Sequence, residues 1–128
     1  VYRSTDNGNV WMSTNTGLGN INMYSLTASG TILFAGTFDR GIYRSTDNGA
    51  TWKQVNTDLS VVSSLAVSGT TLFAGTLNGI YRSTDSGNTW ERINTGARIT
   101  SITSFAMIGT TLFAGAWGNG VYRSTDNG

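Results

Sequence analysis

The feature that most constrains the fold of this chain is an internal repeat of about 40 residues. The heptapeptide YRSTDNG stands at residues 2–8, 43–49 and 122–128, and the same segment with Ser in place of Asn stands at 81–87. Its tyrosines are separated by 41, 38 and 41 residues. A fixed period of this length indicates a repeat architecture, in which each unit is one supersecondary element that covers its apolar face with its neighbours.

Each unit contains four short runs in which apolar and polar residues alternate. One unit reads SSLAVSG, TTLFAGT, GIYRSTD and TWERIN, with Gly, Asn or Ser between the runs. These runs predict four strands, named A to D, and four antiparallel strands in about 40 residues match one β-propeller blade. A helical repeat is the alternative, but no window sustains a 3.6-residue apolar period. The sequence therefore predicts an all-β fold built of β-propeller blades.

The strand pattern divides the chain, a single propeller segment of residues 1–128, into four parts. Residues 1–14 hold strands C and D of a partial blade, residues 23–55 and 61–94 are two blades, and residues 100–128 are a partial blade with strands A, B and C. About three blades form an arc of a larger or oligomeric propeller, because propellers close with about four to eight blades. We expect the ring to be completed by further blades of the same chain or by self-association.

Composition excludes several classes of function. The eight Lys and Arg residues are spread along the chain and balanced by seven acids, so no basic patch predicts nucleic-acid binding. No apolar stretch is long enough to predict membrane insertion. The chain has no Cys and no His, which removes thiol nucleophiles, the commonest general base and the commonest metal ligand. We predict no cofactor and no metal, and we favour an extracellular or cell-envelope location.

The heptapeptide belongs to a longer motif that we call the cassette. STDNGATW (45–52) and STDSGNTW (83–90) fit the pattern SxDxGxTW; STDNGNVW (4–11) has Val in place of Thr, and STDNG stands at 124–128. The pattern resembles the Asp-box, or BNR repeat, of sialidase-like and related β-propellers. We expect each aspartate to accept hydrogen bonds from turn N–H groups, each glycine to adopt positive φ, and each tryptophan to lie across the C–D hairpin.

The cassettes are predicted to be structural, because the same chemistry recurs in every blade and each loop offers one carboxylate, too few for Ca²⁺. The predicted structural residues are Ser4, Asp6, Gly8, Trp11, Ser45, Asp47, Gly49, Thr51, Trp52, Ser83, Asp85, Gly87, Thr89, Trp90, Ser124, Asp126 and Gly128. The arginines that follow each repeat tyrosine, Arg3, Arg44, Arg82 and Arg123, are interpreted as packing or ion-pair residues of the repeat.

The connections from strand B to C and from strand D to A emerge opposite the cassettes and vary in length between units. Loops that vary on a constant scaffold commonly carry function, so we place the ligand-binding residues there. These residues are Phe38, Asp39, Arg40, Asn78, Arg98, Trp117 and Asn119. An aromatic side chain beside amides and an Asp/Arg pair can stack on a sugar ring and hydrogen-bond its hydroxyls. The alternative is that Phe38, Leu77 and Trp117 cap the core between blades.

These observations favour a non-catalytic propeller module that binds a glycan or a protein. One alternative is part of a glycoside hydrolase, sialidase-like or xyloglucan-degrading, whose catalytic residues lie elsewhere; another is a protein that resembles photosystem assembly factors. Hydrolysis usually requires two carboxyl groups about 5 to 10 Å apart. Outside the cassettes the chain offers only Asp39, Asp58 and Glu91, so we predict no catalytic residue within it.

Overall fold

The computed structural model describes residues 1–93 and 99–128, so the predicted binding residue Arg98 and the predicted blade boundary at residue 94 lie outside the described residues. The strands are β1 (Tyr2–Arg3), β2 (Met12–Ser13), β3 (Met23–Ser29), β4 (Ile32–Thr37), β5 (Ile42–Ser45), β6 (Lys53–Asn56), β7 (Ser64–Ser68), β8 (Thr71–Thr76), β9 (Gly79–Ser83), β10 (Glu91–Arg92), β11 (Ile102–Ile108), β12 (Thr111–Ala116) and β13 (Gly120–Ser124). In the described part no helix is long and apolar enough to cross a membrane.

The strands form four antiparallel sheets in chain order. Sheet 1 is β1-β2, sheet 2 is β3-β4-β5-β6, sheet 3 is β7-β8-β9-β10, and sheet 4 is β11-β12-β13. Sheets 2 and 3 are meanders of four strands, joined by short turns, as the sequence predicts for propeller blades. In sheet 3 strand D is the shortest, since β10 contains only two residues against five in β9.

The repeated FAG segment occupies the middle of each blade. In sheet 2, Ala35 of β4 lies opposite Leu26 on one side and Tyr43 on the other. Sheet 3 repeats this register around Ala74, and sheet 4 repeats it around Ala114. Sheets 2 and 4 each contain a register shift in strand A, between Met23 and Ser25 and between Ile102 and Ser104. The extra residue in each bulge supplies one of the two residues by which the D-to-A connections are longer in those units.

Three apolar clusters lie between successive sheets, because alternate residues of each strand point to opposite faces. Phe34 of sheet 2 packs with Leu72 and Ala74 of sheet 3, and Phe73 of sheet 3 packs with Leu112 and Ala114 of sheet 4. The third cluster joins Ala35, Tyr43 and Trp52 of sheet 2 to Leu18, with Val1 packed against it. The core of this chain is therefore a series of inter-blade layers.

The glycine of the FAG segment allows neighbouring blades to approach closely. A Cβ atom built on Gly75 would overlap the Ile102 side chain, with 2.9 Å to its Cβ atom. A Cβ atom on Gly36 would lie 2.6 Å from Cγ1 of Val62, which lies in the connection that leads into β7. Real Cβ contacts are longer than this, so any larger side chain at these two positions requires the blades to move apart.

Hydrogen bonds connect neighbouring blades at both ends of the sheets. At the cassette end, the repeat arginine of each blade donates to a turn carbonyl of the next: Arg3 to Asn48, Arg44 to Ser86 and Arg82 to Asn127, at 3.0 to 3.1 Å. At the other end, the D-to-A connections donate backbone N–H groups to the preceding B-to-C loops, Val61 to Phe38 at 2.7 Å and Ser101 to Leu77 at 2.8 Å. Only Arg82 also forms an ion pair among the described residues, with Glu91.

The cassette tryptophans differ in burial. Trp52 is 5% exposed because it packs between sheet 2 and the segment around Leu18, whereas Trp11 is 61% exposed. Trp11 bonds only its own turn, through Nε1 to the carbonyl of Gly8. On the Trp11 side of sheet 1, no strand of the described structure covers the hairpin. Burial of this side chain therefore depends on a neighbouring blade and not on the cassette alone.

Cassette turns and candidate binding face

Each cassette is a hairpin turn whose backbone is held by two side chains. In sheet 2, the Ser45 hydroxyl donates to Oδ1 of Asp47 at 2.8 Å and accepts from the N–H of Gly49 at 2.9 Å. Oδ1 of Asp47 also accepts from the N–H of Thr51, and Oδ2 accepts from its hydroxyl at 2.5 Å. Asn48 and Gly49 both adopt positive φ, 58° and 83°, which Gly reaches freely because it lacks a Cβ atom and which Asn tolerates better than most residues.

The residue four positions after the aspartate decides how strongly the carboxylate is held. Hydrogen bonds from the Thr51 hydroxyl, the Thr51 N–H and Ser45 lower the pKa of Asp47 from 3.8 to about 2. The Thr89 hydroxyl and N–H, with Ser83, have the same effect on the pKa of Asp85. In the first cassette Val10 supplies an N–H but no hydroxyl, and the pKa of Asp6 is lowered chiefly by that N–H and by Ser4. The threonine of the SxDxGxTW pattern is thus a second donor to the carboxylate.

The opposite end of the blades carries the three B-to-C loops. In sheets 2 and 3 a buried threonine braces the loop: the Thr37 hydroxyl donates to the carbonyl of Gly41, and the Thr76 hydroxyl donates to that of Gly79. The same oxygens accept N–H bonds from Arg40 and Asn78. Ala116 stands at this position in sheet 4, where the loop has a backbone bond from Asn119 to Ala116. The braces fix the first two loops on their strands.

All three loops place a large apolar side chain in solvent. Phe38 is 44% exposed, Leu77 is 50% exposed and Trp117 is 78% exposed. None of them is buried in the core between the blades. An exposed aromatic side chain on a braced loop is available to contact a ligand.

The loop of sheet 2 carries an aromatic pair that the sequence reading missed. Tyr24 and Phe38 meet edge to face, with ring centroids 5.6 Å apart and an interplanar angle of 67°. Tyr24 lies at the register shift of β3, between Met23 and Ser25. A bulge re-aims the side chain of the extra residue, which brings Tyr24 beside Phe38. The only sequence signal is the longer D-to-A connection in this unit, which does not identify the partner.

The polar residues predicted for this face have different surroundings. Asp39 and Arg40 are exposed in the same loop as Phe38, and the Arg40 carbonyl accepts a bond from Gln54 at 2.8 Å. Asn78 lies in the loop of sheet 3, where its carbonyl accepts a 2.7 Å bond from Arg92. Asn119 is exposed beside Trp117 in the loop of sheet 4. These three loops belong to successive blades and lie at the same end of the sheets.

The two remaining acids outside the cassettes, Asp58 and Glu91, each have a partner close in the chain. Asp58 accepts a 3.1 Å bond from the hydroxyl of Thr57, its neighbour in the chain, and Glu91 is paired with Arg82. Within residues 1–93 and 99–128, no group of three acidic side chains is placed to hold a metal ion. The chemistry that this face offers is stacking, hydrogen bonding and contact with charged groups.

Comparison with known proteins places the chain among β-propellers. No protein-family model matches it. No curated protein matches its sequence. Similar solved structures include an ancestral GH74 enzyme (TM-score 0.80, 21% identity, 99% of this chain and 20% of that chain) and a GH74 enzyme of Niastella koreensis (TM-score 0.73, 23% identity, 95% and 24%). YCF48 from Cyanidioschyzon merolae is also similar (TM-score 0.70, 17% identity, 84% and 35%).

This chain therefore spans between a fifth and about a third of the length of these three structures. At such identities the likeness concerns the fold alone, and the chain has the fold of successive β-propeller blades.

Proposed function

We propose that this chain is a non-catalytic β-propeller module of the Asp-box type that binds a glycan through the loops between strands B and C and between strands D and A. The observation that carries the proposal is the exposure of aromatic side chains on these loops, above all Trp117 in a loop with Asn119 and the Tyr24–Phe38 pair beside Asp39. Aromatic rings stack on the apolar faces of sugars, and amides and carboxylates hydrogen-bond sugar hydroxyls.

The cassettes support this proposal because they account for the repeated polar residues without a ligand. Their carboxylates are engaged by hydrogen bonds inside the turn, as at Asp47 and Asp85. The chemistry available to an external ligand is then concentrated at the other end of the blades. A protein that binds the same loops is the alternative to a glycan ligand.

A glycan array with the purified chain tests the proposal. We expect binding to one class of glycan, and we expect Trp117→Ala and Phe38→Ala to weaken it by about fivefold or more, since an aromatic contact is worth about 1 kcal/mol or more. Ile108→Ala is the matched control, because Ile108 is an exposed apolar residue at the cassette end of sheet 4. Absence of glycan binding, or binding unaffected by both aromatic substitutions, would rule out this face as a sugar site.

A second candidate is a segment of a glycoside hydrolase, which the fold similarity to GH74 enzymes favours. In that case the chain supplies part of a substrate-binding surface and the reacting carboxyl groups lie in other blades. Incubation of the chain with a polysaccharide that the array identifies, followed by assay of reducing ends, separates the two candidates. We expect no release, and hydrolysis by the chain itself would contradict the non-catalytic assignment.

A further inference from the structure

Asparagine stands directly before glycine at several places in this chain, and the fold gives these pairs different surroundings. The pairs lie at residues 7–8, 48–49, 78–79, 119–120 and 127–128. Such a pair is chemically labile, because the nitrogen of a residue without a Cβ atom can approach the side-chain carbonyl carbon of the asparagine. Some pairs belong to the cassette turns and others to the B-to-C loops, so the effect of the fold can be compared within one chain.

In the cassette turns a serine holds the nitrogen of the glycine. The N–H of Gly49 donates to the Ser45 hydroxyl at 2.9 Å, and the first cassette has the same bond at 2.8 Å. Gly49 is also buried. Attack on Asn48 requires the loss of the N–H proton and a rotation of the peptide, and both break this hydrogen bond. The cassette turn therefore opposes the reaction at its own asparagine.

The pair at 119–120 lies in the B-to-C loop of sheet 4, where Asn119 is exposed. Exposure is common to this part of the loop in the other blades, since Arg40 of sheet 2 and Asn78 of sheet 3 are exposed although a further sheet packs beside each. The residue four positions before Gly120 is Ala116, at the spacing that separates the cassette serine from its glycine. Alanine has no hydroxyl with which to hold the glycine nitrogen.

The loop of sheet 2 has the same length and shows which contacts Ala116 removes. There the Thr37 hydroxyl accepts the N–H of Arg40 and donates to the carbonyl of Gly41, both at 2.9 Å. Arg40 and Gly41 correspond in position to the pair at 119–120. With alanine in place of the threonine, the main chain of this pair lacks both side-chain bonds. A loop with fewer such bonds reaches other conformations more easily, including the one in which the glycine nitrogen meets the asparagine side chain.

We propose that Asn119 is a site of spontaneous deamidation and that the cassette asparagines are protected from it. A base removes the N–H proton of Gly120, and the nitrogen attacks the side-chain carbonyl carbon of Asn119. The bond from this carbon to the side-chain nitrogen breaks, ammonia leaves with a proton, and a succinimide ring joins the two residues. Water then opens the ring at either carbonyl carbon, which restores the N–H of Gly120 and leaves aspartate or isoaspartate at position 119. Water is the only other reactant.

Deamidation would alter the loop that carries Trp117. Each event replaces a neutral amide by a carboxylate, and isoaspartate also adds a methylene group to the main chain between Trp117 and β13. We expect the altered chain to bind a glycan more weakly. This consequence rests on the proposed function, whereas the deamidation itself does not.

Peptide mapping by mass spectrometry tests the proposal after the purified chain is incubated in mildly alkaline buffer. Trypsin places Asn48 in the peptide 45–53 and Asn119 in the peptide 99–123, and neither peptide contains a second asparagine. We expect the peptide with Asn119 to gain the mass difference between water and ammonia several-fold faster than the peptide with Asn48. Equal rates in the folded chain, or faster conversion of Asn48, would overturn the proposal.

The same incubation in guanidinium chloride is the control for effects of the flanking residues. Both asparagines precede glycine, so their rates should converge once the chain is unfolded. A difference that persists unchanged in the unfolded chain would show that the fold does not cause it, and this would refute the structural argument.

Two substitutions test the cause at each site. Ala116→Thr supplies the hydroxyl that Thr37 has in sheet 2, and its two hydrogen bonds should slow the conversion of Asn119 about fivefold or more. Ser45→Ala frees the nitrogen of the cassette glycine and should speed the conversion of Asn48 about two- to tenfold, with the rate at Asn119 unchanged. Unchanged rates at Asn119 in the first variant and at Asn48 in the second would contradict the proposed protection by hydroxyl groups.

Asn119→Gln separates the modification from its consequence for binding. Glutamine keeps the amide, but its longer side chain closes the corresponding ring less readily. The parent chain should lose glycan affinity during incubation as Asn119 converts, and the variant should keep the affinity with which it begins. Conversion without a change in affinity would refute the consequence for binding. A fresh chain that binds no glycan would count against the proposed function, while the peptide map would still decide whether Asn119 deamidates.

Discussion

Gly75→Ala is the substitution that tests most directly how closely the blades approach. Gly75 is not one of the glycines with positive φ, so alanine is compatible with its backbone and would by itself stabilise the chain by about 0.4 to 1 kcal/mol through the unfolded state. The new Cβ atom, however, would overlap Ile102, with 2.9 Å to its Cβ atom. Overpacking of a core commonly costs about 1 to 3 kcal/mol. We therefore expect a net loss of about 1 to 2 kcal/mol in the free energy of unfolding.

Ile102→Ala allows this loss to be assigned to one contact. Ile102 is 1% exposed, so its truncation alone should cost about 2 to 5 kcal/mol. In the double variant the new methyl group of position 75 fills part of the space that Ile102 leaves. The two costs should then differ from additivity by about 0.5 to 3 kcal/mol, the range found for residues in contact.

The assay is urea unfolding of dilute protein followed by far-ultraviolet circular dichroism. Gly115→Ala is the matched control in sheet 4, because its Cβ atom would meet the hydroxyl of Ser104 at 2.5 Å, and an exposed hydroxyl can rotate away. We expect this control to be neutral or to raise the free energy of unfolding by up to about 1 kcal/mol, because the gain through the unfolded state applies here too. Equal effects at positions 75 and 115, or an additive cycle between positions 75 and 102, would refute the argument that Ile102 limits the space beside sheet 3.

Two further predictions concern the cassette and the D-to-A connection. Because the pKa of Asp47 is lowered from 3.8 to about 2 in the fold, the folded chain binds fewer protons than the unfolded chain, so this stabilisation is present above about pH 4 and is lost as pH falls towards 2. Between pH 5 and pH 2 the melting temperature should therefore fall less in Asp47→Asn than in the parent chain or in the loop control Asp39→Asn. Equal falls in the three proteins would contradict this assignment of the acid sensitivity to Asp47. Val61 has φ of 51°, unfavourable for a β-branched residue, so Val61→Asn should raise the free energy of unfolding by up to about 1 kcal/mol, and a lower urea midpoint would oppose this account.

The repeat made the strands and their order predictable, because alternation and turn residues act locally. The all-β propeller architecture is confirmed by the sheets and by the similar solved structures. The environment of an individual side chain was less predictable, since it depends on the neighbouring sheet. Trp11 and Trp52 occupy the same cassette position, yet one is exposed and the other is buried.

The binding face was predicted only as a set of loops. Their exposure follows from topology, but the Tyr24–Phe38 contact requires a bulge whose position the sequence does not specify. The arginine contacts were missed for a related reason. The repeat arginines were interpreted as packing or ion-pair residues, and Arg82 does pair with Glu91. Three of the arginines also donate to main-chain carbonyls of the next blade, and such acceptors have no signature in side-chain identity.

Because these arginines bind main-chain acceptors, the two residues at each junction between blades differ in how well they tolerate substitution. The accepting position is Asn in two turns and Ser in a third, and the same carbonyl is presented each time because the left-handed backbone, and not the side chain, sets its direction. Substitutions that keep this conformation should be silent for the junction, whereas the arginine has no substitute of equal reach and donor geometry. Neutral substitutions in such an array would therefore accumulate at the turn position that supplies the accepting carbonyl and would be rare at the arginine.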